Sequence, residues 1–484
     1  MRLAQIPSSW KQVKWQLLNK NTGAEVICPQ ITGTIMKKLN IYAYVGPTNG
    51  EYVLADGTQV QNEDFRTVER YQEYKDCGFD TLLLLGNDPY NGEDFSESQL
   101  KKNLDMCAQV GLKCIVYDKR IHDLSMQDDG IIGEGKPFAD EKALEEYLSA
   151  CIAPYKGHSA FFGLELGDEP RFQKLKSFGQ IYKAFSAMGE KVFFNSVLFP
   201  YFNNNEVYYT DNEALKGVDS YVDYIERWFR ETDAESIDYD YYPFKFLRDP
   251  DCATDPTDSY VEVTHFINLQ LMSETARRLG KKFYITLQAY ASATTAGSAY
   301  KRRMRFPDFR YQLNAAFAFG AKDLRYYTYW TFPSQIGDPT VEAIMSPTGE
   351  KQYYDFVKQM NEEAQKQAEY VLDYDYVATV LCEKDQPKFE KLVSLESFEG
   401  ASIEANCAVI FNKMQNKSGA TGYYVMNAED PATDITANAR IVFEGADSVA
   451  VYQNGEKEIR VLQNGVFVQS FPVGEGAFLT PIYK

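Results

Sequence analysis

The sequence predicts an α/β protein in which a (β/α)8 TIM barrel is followed by a smaller all-β sandwich domain. Two observations indicate the barrel. An amphipathic helix that ends at a glycine and leads into an apolar run recurs between about residue 39 and residue 332. The apolar runs are nearly unbroken, as expected of parallel strands that helices cover on both faces. From about residue 372 the pattern changes to short alternating stretches with turn signals, which indicates the sandwich.

Each helix of the repeated unit stops where a glycine can adopt left-handed backbone angles. The run LNIYAYVGPT and the runs FFGLELGDEP and SIDYDYYPF complete a set of eight strands. Eight strands in alternation with helices predict a closed barrel. An open doubly wound sheet is the alternative, but no glycine-rich phosphate fingerprint follows any strand. The helix-ending glycines are Gly78, Gly111, Gly189, Gly280 and Gly320.

The chain divides into three predicted parts. Residues 1–36 form an N-terminal segment that we expect to pack on the barrel, and residues 37–371 form the barrel itself. Residues 372–484 form the sandwich, in which the Asn-Gly pairs at 454–455 and 464–465 predict tight hairpins.

Composition narrows the function. The formal net charge of −19 argues against nucleic acid as a partner, because a phosphate backbone requires clustered cations. Neither a membrane span nor a signal peptide is visible, and the 8 scattered cysteines are typical of reduced core thiols. We therefore expect a cytoplasmic protein, unless an export signal has been removed. The 3 histidines lack ligand spacing, so we expect neither a metal nor an organic cofactor; the oligomeric state stays open.

Polar residues collect at the C-terminal ends of the predicted strands, where the active site of a (β/α)8 barrel lies. Amides, carboxylates and aromatic rings together suit a polyhydroxylated ligand, whose hydroxyls need partners while its C–H faces stack on rings. A carbohydrate is therefore the expected substrate. The predicted binding residues are Tyr42, Asn87, Asp118, Asn195, Tyr242, Gln288, Tyr290 and Trp330.

The fourth predicted strand runs into GDEP (167–170), which places Asp168 and Glu169 side by side before a proline. An ionised Asp168 raises the pKa of Glu169, which keeps a proton available for a leaving oxygen. Pro170 favours an extended backbone at Glu169. The alternative is a helix start with Asp168 as N-cap, but at the end of a barrel strand we favour catalysis. Glu165 lies mid-strand and is predicted to be an inward polar residue of the barrel.

The layout resembles the glycoside hydrolase barrels that carry a C-terminal β-sandwich, and this resemblance covers most of the chain. The short GDEP step is similar to the adjacent Asp-Glu pair of the β-N-acetylhexosaminidase and β-N-acetylgalactosaminidase families. The resemblance implies that Glu169 is the general acid/base. It further implies that Asp168 orients a 2-acetamido group, whose own oxygen attacks the anomeric carbon.

One departure leaves the mechanism open. Double-displacement barrels of the large glycosidase clan usually carry Asn-Glu at strand four and a second Glu at the end of strand seven, whereas strand seven here ends in Gln288. Either the substrate supplies the nucleophile, or Asp240 of YDYYP on strand six is the second carboxylate. The predicted function is a glycoside hydrolase. The alternatives are a carbohydrate-binding barrel without turnover and a non-glycosidic barrel lyase or hydrolase.

Overall fold

The computed structural model describes residues 17–18, 25–26, 39–53, 57–84, 96–190, 192–198, 220–246, 259–292, 301–331 and 341–483. Two compact units are present, Met1–Lys38 and Leu39–Lys484. In the first, strands Leu17–Leu18 and Glu25–Val26 pair antiparallel. Everything that follows concerns the second unit.

Eight parallel strands close into a barrel, which confirms the predicted fold. Each strand pairs with its neighbours in the sequence, and the closure also joins the last strand to the first through Leu324 and Ile41. The strands are β1 (Ile41–Ala43), β2 (Thr81–Leu84), β3 (Lys113–Val116), β4 (Phe161–Asp168), β5 (Phe193–Leu198), β6 (Ser236–Asp240), β7 (Lys282–Gln288) and β8 (Leu324–Tyr327).

Helices alternate with the strands. All five glycines that were predicted to end a helix have positive φ, from 67° at Gly280 to 97° at Gly78. Short hairpins follow β1 (Glu51–Val53 with Gln59–Gln61) and β6 (Phe244–Phe246 with Ser259–Val261). The helices are α1 (Val68–Asp76), α2 (Glu97–Val110), α3 (Lys119–Ser125), α4 (Glu141–Ile152), α5 (Leu175–Ala187), α6 (Tyr221–Thr232), α7 (His265–Arg278), α8 (Phe306–Ala318) and α9 (Tyr354–Val371), with 3₁₀ turns at Phe172–Lys174 and Pro387–Phe389.

The C-terminal region is an all-β layer of two antiparallel sheets, as predicted. A six-stranded sheet has the order β9-β11-β12-β17-β14-β15, and a three-stranded sheet has the order β10-β13-β16. The strands are β9 (Tyr374–Cys382), β10 (Ala401–Ala405), β11 (Val409–Asn416), β12 (Thr421–Asn427), β13 (Ala437–Phe443), β14 (Ser448–Gln453), β15 (Glu456–Val461), β16 (Val466–Phe471) and β17 (Gly476–Ile482).

Alternation along β11 and β12 explains how this layer joins the barrel. Phe411 and Tyr423 belong to the core between the two sheets, whereas Ile410 and Tyr424 belong to the core shared with the barrel. Successive side chains of a strand point to opposite faces, so the larger sheet is buried on both. The Tyr424 hydroxyl donates to Asn314 of α8 at 2.8 Å, which adds a polar tie between the two regions.

Six cysteines lie within the described residues, and each of them is a free thiol. Cys77, Cys107, Cys114, Cys151 and Cys407 are buried free thiols, and Cys382 is half-buried. Cys28 and Cys252 lie outside the described residues. Within the described ranges, no helix combines the length and apolarity that a membrane crossing needs.

Candidate active site

A bulge near the end of β4 turns Asp168 into the barrel. Glu165 pairs with Asn195 of β5 and Gly167 pairs with Ser196, so β4 has one residue more than β5 over this step. Side chains alternate between the two faces of a strand, and one extra residue therefore brings Asp168 to the same face as Glu165. Both carboxyl groups line a cavity at the mouth of the barrel.

Glycine suits this bulge because position 167 has a φ of +155°, which residues with a side chain rarely adopt, and because neighbouring side chains lie close to it. A Cβ at Gly167 would lie 2.8 Å from Met126 Sδ and 2.9 Å from Phe178 Cζ of α5. Real Cβ atoms do not approach other heavy atoms so closely, so a side chain at this position would force the side chains of Met126 and Phe178 to shift. The glycine of GDEP thus places the carboxylates that follow it.

Glu169 has a backbone conformation that is uncommon for a residue with a side chain. Its φ is +43°, so the extended conformation predicted from Pro170 is wrong. Its N–H donates to the Val197 carbonyl at 2.8 Å, which holds the turn against β5. The helix-start interpretation is excluded, because Asp168 is still a strand residue and the next helical turn begins at Phe172. Such strain is typical of functional sites.

The cavity measures about 110 Å³, and every barrel strand contributes a lining residue either from the strand or from the position directly after it. It is comparable in size to the engineered cavity of about 150 Å³ that binds benzene. One small ring therefore matches its volume. The lining residues are Tyr44, Val45, Leu83, Tyr117, His122, Glu165, Asp168, Val197, Asp240, Tyr242, Thr286 and Tyr327.

Three carboxyl groups interact at the ends of β4 and β6. Burial, followed by the charges of Asp240 and Asp168, raises the pKa of Glu169 to about 10. The surrounding protein and the charge of Asp240 raise the pKa of Asp168 to about 7. The side chain is exposed to water, but only to the water inside the cavity, which protein encloses. Burial also raises the pKa of Asp240, although hydrogen bonds with Tyr242 and Glu169 oppose the shift. Glu169 therefore keeps its proton at neutral pH.

Aromatic side chains form the wall beside these carboxyl groups. The rings of Tyr242 and Tyr327 lie 5.5 Å apart, and Tyr290 packs edge-on against both at 5.2 and 5.0 Å. On the opposite side, the Tyr117 hydroxyl and His122 Nδ1 are 3.1 Å apart. Burial lowers the pKa of His122 to about 4, so the imidazole is neutral at pH 7.

The predicted site residues divide into four groups. Asp168, Asp240 and Tyr242 line the cavity, and Glu169 hydrogen-bonds to Asp240 beside it. Tyr290 packs behind the aromatic wall, while Tyr42 and Asn195 are fully buried and hydrogen-bonded to each other at 2.5 Å. Asn87 lies outside the described residues.

Three predicted binding residues have structural roles instead. Asp118 is fully buried, caps α3 and holds Arg120 at 2.7 Å. Gln288 is fully buried, and its amide hydrogen-bonds to the backbone of Phe244 and Tyr290.

Trp330, the third, is fully buried and packs on Phe65 at 4.7 Å. These three positions are at strand ends, as predicted, but neighbouring chain covers them. A position at a strand end therefore does not by itself give access to the cavity.

Several cavity residues were not predicted as site residues. Glu165 was assigned to the barrel interior, and the structure places it in the cavity lining as well. Tyr44 follows β1 directly and Tyr327 ends β8, so their positions at strand ends were a usable signal. His122 enters from α3, where no pattern in the sequence marks it. Among the described residues, no cluster of three or more His, Cys, Asp or Glu side chains is arranged to hold a metal ion.

These residues define a (β/α)8-barrel protein with a carboxyl-lined pocket at the C-terminal ends of its strands. No protein-family model matches the chain. A search of curated proteins also finds no match.

Solved structures do resemble the chain. A glycoside hydrolase structure aligns over 97% of both chains with a TM-score of 0.50 and 10% identity. A glycoside hydrolase family 5 protein from Bacteroides vulgatus aligns over 97% of this chain and 93% of its own, with a TM-score of 0.49 and 10% identity. Alpha-galactosidase I from Mortierella vinacea aligns over 94% and 99%, with a TM-score of 0.45 and 10% identity. At this identity the likeness shows the fold.

Proposed function

We propose that the protein is a glycoside hydrolase in which Glu169 is the general acid/base. The observation that carries this proposal is that Asp168 and Asp240 line one cavity while a protonated Glu169 interacts with both of them. Cleavage of a glycosidic bond needs a proton for the leaving oxygen and negative charge near the oxocarbenium-like centre. A ring-sized cavity with tyrosine walls supports a sugar as the substrate.

The contact between Glu169 and Asp240 bears on the mechanism. Two catalytic carboxyl groups are about 5–5.5 Å apart in retaining glycosidases and about 6.5–9.5 Å apart in inverting ones. Glu169 and Asp240 interact closely enough that each shifts the pKa of the other, and we infer that an anomeric carbon does not fit between them. We therefore propose that Asp240 holds the proton-bearing Glu169 in place, rather than attacking the sugar.

Asp168 is the better partner for the substrate. It lines the cavity, and among the described residues no side chain hydrogen-bonds to its carboxylate. The proposed substrate is a 2-acetamido sugar. Its acetamido oxygen forms a bond to the anomeric carbon while the bond to the leaving oxygen breaks, and Glu169 gives that oxygen its proton. Water then attacks the same carbon, Glu169 takes the proton back, and the cyclised ring reopens. Asp168 stabilises the positive charge of the cyclised ring.

A carbohydrate-binding barrel without turnover is the second candidate. The observation in its favour is Gln288, a neutral residue at the end of β7 whose amide is held by backbone groups. Such a protein would bind a sugar in the same cavity but release it unchanged.

Paired aryl glycosides that differ only in a 2-acetamido or a 2-hydroxyl group test the proposal. We expect release of the aryl group from the 2-acetamido substrate, inhibition by a thiazoline mimic of the cyclised intermediate, and loss of activity in Glu169→Gln. Glu146→Gln, an exposed position on α4, is the matched control and should be as active as wild type. Binding of these sugars without hydrolysis would favour the second candidate, and cleavage of the 2-hydroxy sugar alone would refute the acetamido route.

A further inference from the structure

We propose that Glu165 is a positioning residue that, together with Asn195, fixes Asp168 and Tyr44 in the cavity. Its kinetic consequences rest on the proposed function, whereas its structural consequences do not. Glu165 is 5% exposed and lies on β4 three residues before Asp168.

The first contact of Glu165 supports the bulge. Its Oε1 accepts a hydrogen bond from the Gly167 backbone N–H at 3.1 Å. A bulge leaves backbone groups without their regular partners in the ladder, and an unpaired buried N–H is costly. Oε1 of Glu165 thus takes the place of a backbone acceptor for the N–H of the residue directly before Asp168. Because Asp168 faces the cavity only in the bulged register, this hydrogen bond helps to hold its direction.

The second contact joins Glu165 to Tyr44 through Asn195. Asn195 Nδ2 donates to Glu165 Oε2 and to the Tyr44 hydroxyl, the latter at 2.7 Å. Asn195 Oδ1 accepts from the Tyr42 hydroxyl at 2.5 Å, which fixes the orientation of the amide. Both N–H groups of the Asn195 amide and its oxygen therefore have hydrogen-bond partners.

This arrangement determines what Tyr44 offers to a ligand. The Tyr44 hydroxyl accepts from Asn195, and among the described residues none accepts its proton. Tyr44 also lines the cavity. Its O–H is therefore set to donate to an oxygen of the bound sugar, and that orientation depends on Glu165 as the second acceptor of the Asn195 amide. Both oxygens of Glu165 accept hydrogen bonds from the protein, so neither is available to give a proton to the substrate as a catalytic acid would.

The Glu165→Gln variant tests the network, because its amide is isosteric with the carboxyl group. In either orientation of the Gln side chain, one N–H faces another N–H, that of Gly167 or that of Asn195. We expect a folded protein whose kcat/KM falls by about 10-fold or more, as expected for one unsatisfied buried group. Tyr44→Phe should raise KM and leave kcat nearly unchanged, since it removes the substrate contact and one partner of Asn195. The hydrogen bonds of Glu165 with Gly167 and Asn195 stay in place.

The double variant Glu165→Gln/Asn195→Asp supplies the rescue. The new amide can donate to the new carboxylate while its oxygen still accepts from Gly167, so Asp168 regains its direction and kcat should recover. Tyr44 must now donate to the carboxylate, so KM should remain as high as in Tyr44→Phe. A purely structural role for Glu165 would not divide kcat and KM in this way.

Crystal structures of wild type and Glu165→Ala complete the test independently of turnover. We expect the alanine variant to lose the bulged register, or to turn Asp168 away from the cavity. If Asp168 and Tyr44 keep their positions in this variant, the inference is wrong whether or not the protein hydrolyses glycosides. If wild type hydrolyses no glycoside but Asp168 moves as expected, the proposed function fails and the positioning role of Glu165 stands.

Discussion

The ends of β4 and β7 offer a direct comparison, since both carry polar residues at the same edge of one barrel. β4 ends in a bulge, a positive φ at Glu169 and carboxyl groups with raised pKa values. β7 ends regularly, and Gln288 hydrogen-bonds to the backbone of the chain that covers it. The difference shows that a residue at a strand end becomes available for chemistry only when local structure turns it towards the cavity and leaves it without structural partners.

The largest effect on activity is expected from a substitution at the end of β4. Glu169→Gln should lower kcat by about 100-fold to 10,000-fold, because loss of a general acid removes a factor of this size, while sugar binding survives. Kinetics on a 2-acetamido glycoside with a poor leaving group and calorimetric binding of the product measure the two effects separately. Retention of wild-type kcat on the substrate with a poor leaving group would remove Glu169 from the mechanism.

Asp240→Asn should shift the pH dependence of activity rather than abolish activity. In wild type, kcat/KM should rise as Asp168 ionises near pH 7 and fall as Glu169 loses its proton towards pH 10. The charge of Asp240 helps to raise both pKa values, so its removal should move both limbs of the profile to lower pH.

The control for that experiment is Glu262→Gln, which alters an ion pair with Lys245 outside the three carboxyl groups. The pH profile of kcat/KM in Glu262→Gln should rise and fall at the same pH values as in wild type. A severe loss of kcat in Asp240→Asn at every pH would instead indicate that Asp240 attacks the sugar.

Gln288 is expected to affect stability more than catalysis. Gln288→Leu leaves the buried Phe244 N–H without its acceptor at 3.0 Å, which should cost about 1–3 kcal/mol in the free energy of unfolding. Denaturant unfolding measures this cost, and kcat on the same substrate measures the role in chemistry. A stable variant with a large loss of kcat would show that the end of β7 takes part in the reaction after all.

The smallest expected effect is on how the free energy of unfolding of Glu169→Gln depends on pH. The pKa of Glu169 is raised in the folded state, so its contribution to stability is complete below the unfolded value of 4.5 and declines as the pH rises towards about 10. Glu169→Gln cannot ionise, and it should therefore gain stability relative to wild type between pH 5 and pH 8. The gain should be about 1 kcal/mol per pH unit or less, because solvent partly reaches the group. Parallel slopes for the two proteins would contradict the raised pKa.

Much of the fold could be predicted from local patterns. The helix-ending glycines and the unbroken apolar runs were sufficient to predict the barrel. Each reflects the backbone angles or the burial of its own segment, so each can be recognised from the local sequence. The strand-end rule placed Asp168, Asp240 and Tyr242 correctly in the cavity.

The remaining features depend on distant contacts. Met126 and Phe178 lie against the bulge at Gly167, and Phe65 packs on the buried Trp330. The sequence around Gly167 and Trp330 does not indicate which distant residues will contact them in the fold. Glu165 shows the same limit: its inward direction was predictable, but its hydrogen bonds to Gly167 and Asn195 follow from the register of two strands.

The central claim, that Glu169 protonates a leaving group, is tested most directly by the dependence of kcat/KM on leaving-group pKa. A series of 2-acetamido aryl glycosides with good to poor leaving groups should give wild type a shallow dependence, because the acid supplies a proton to poor leaving groups. Glu169→Gln should show a steep dependence, with its largest loss on the poorest leaving group and little loss on the best one. Equal losses across the whole series, or no loss, would contradict the assignment of Glu169 as the acid.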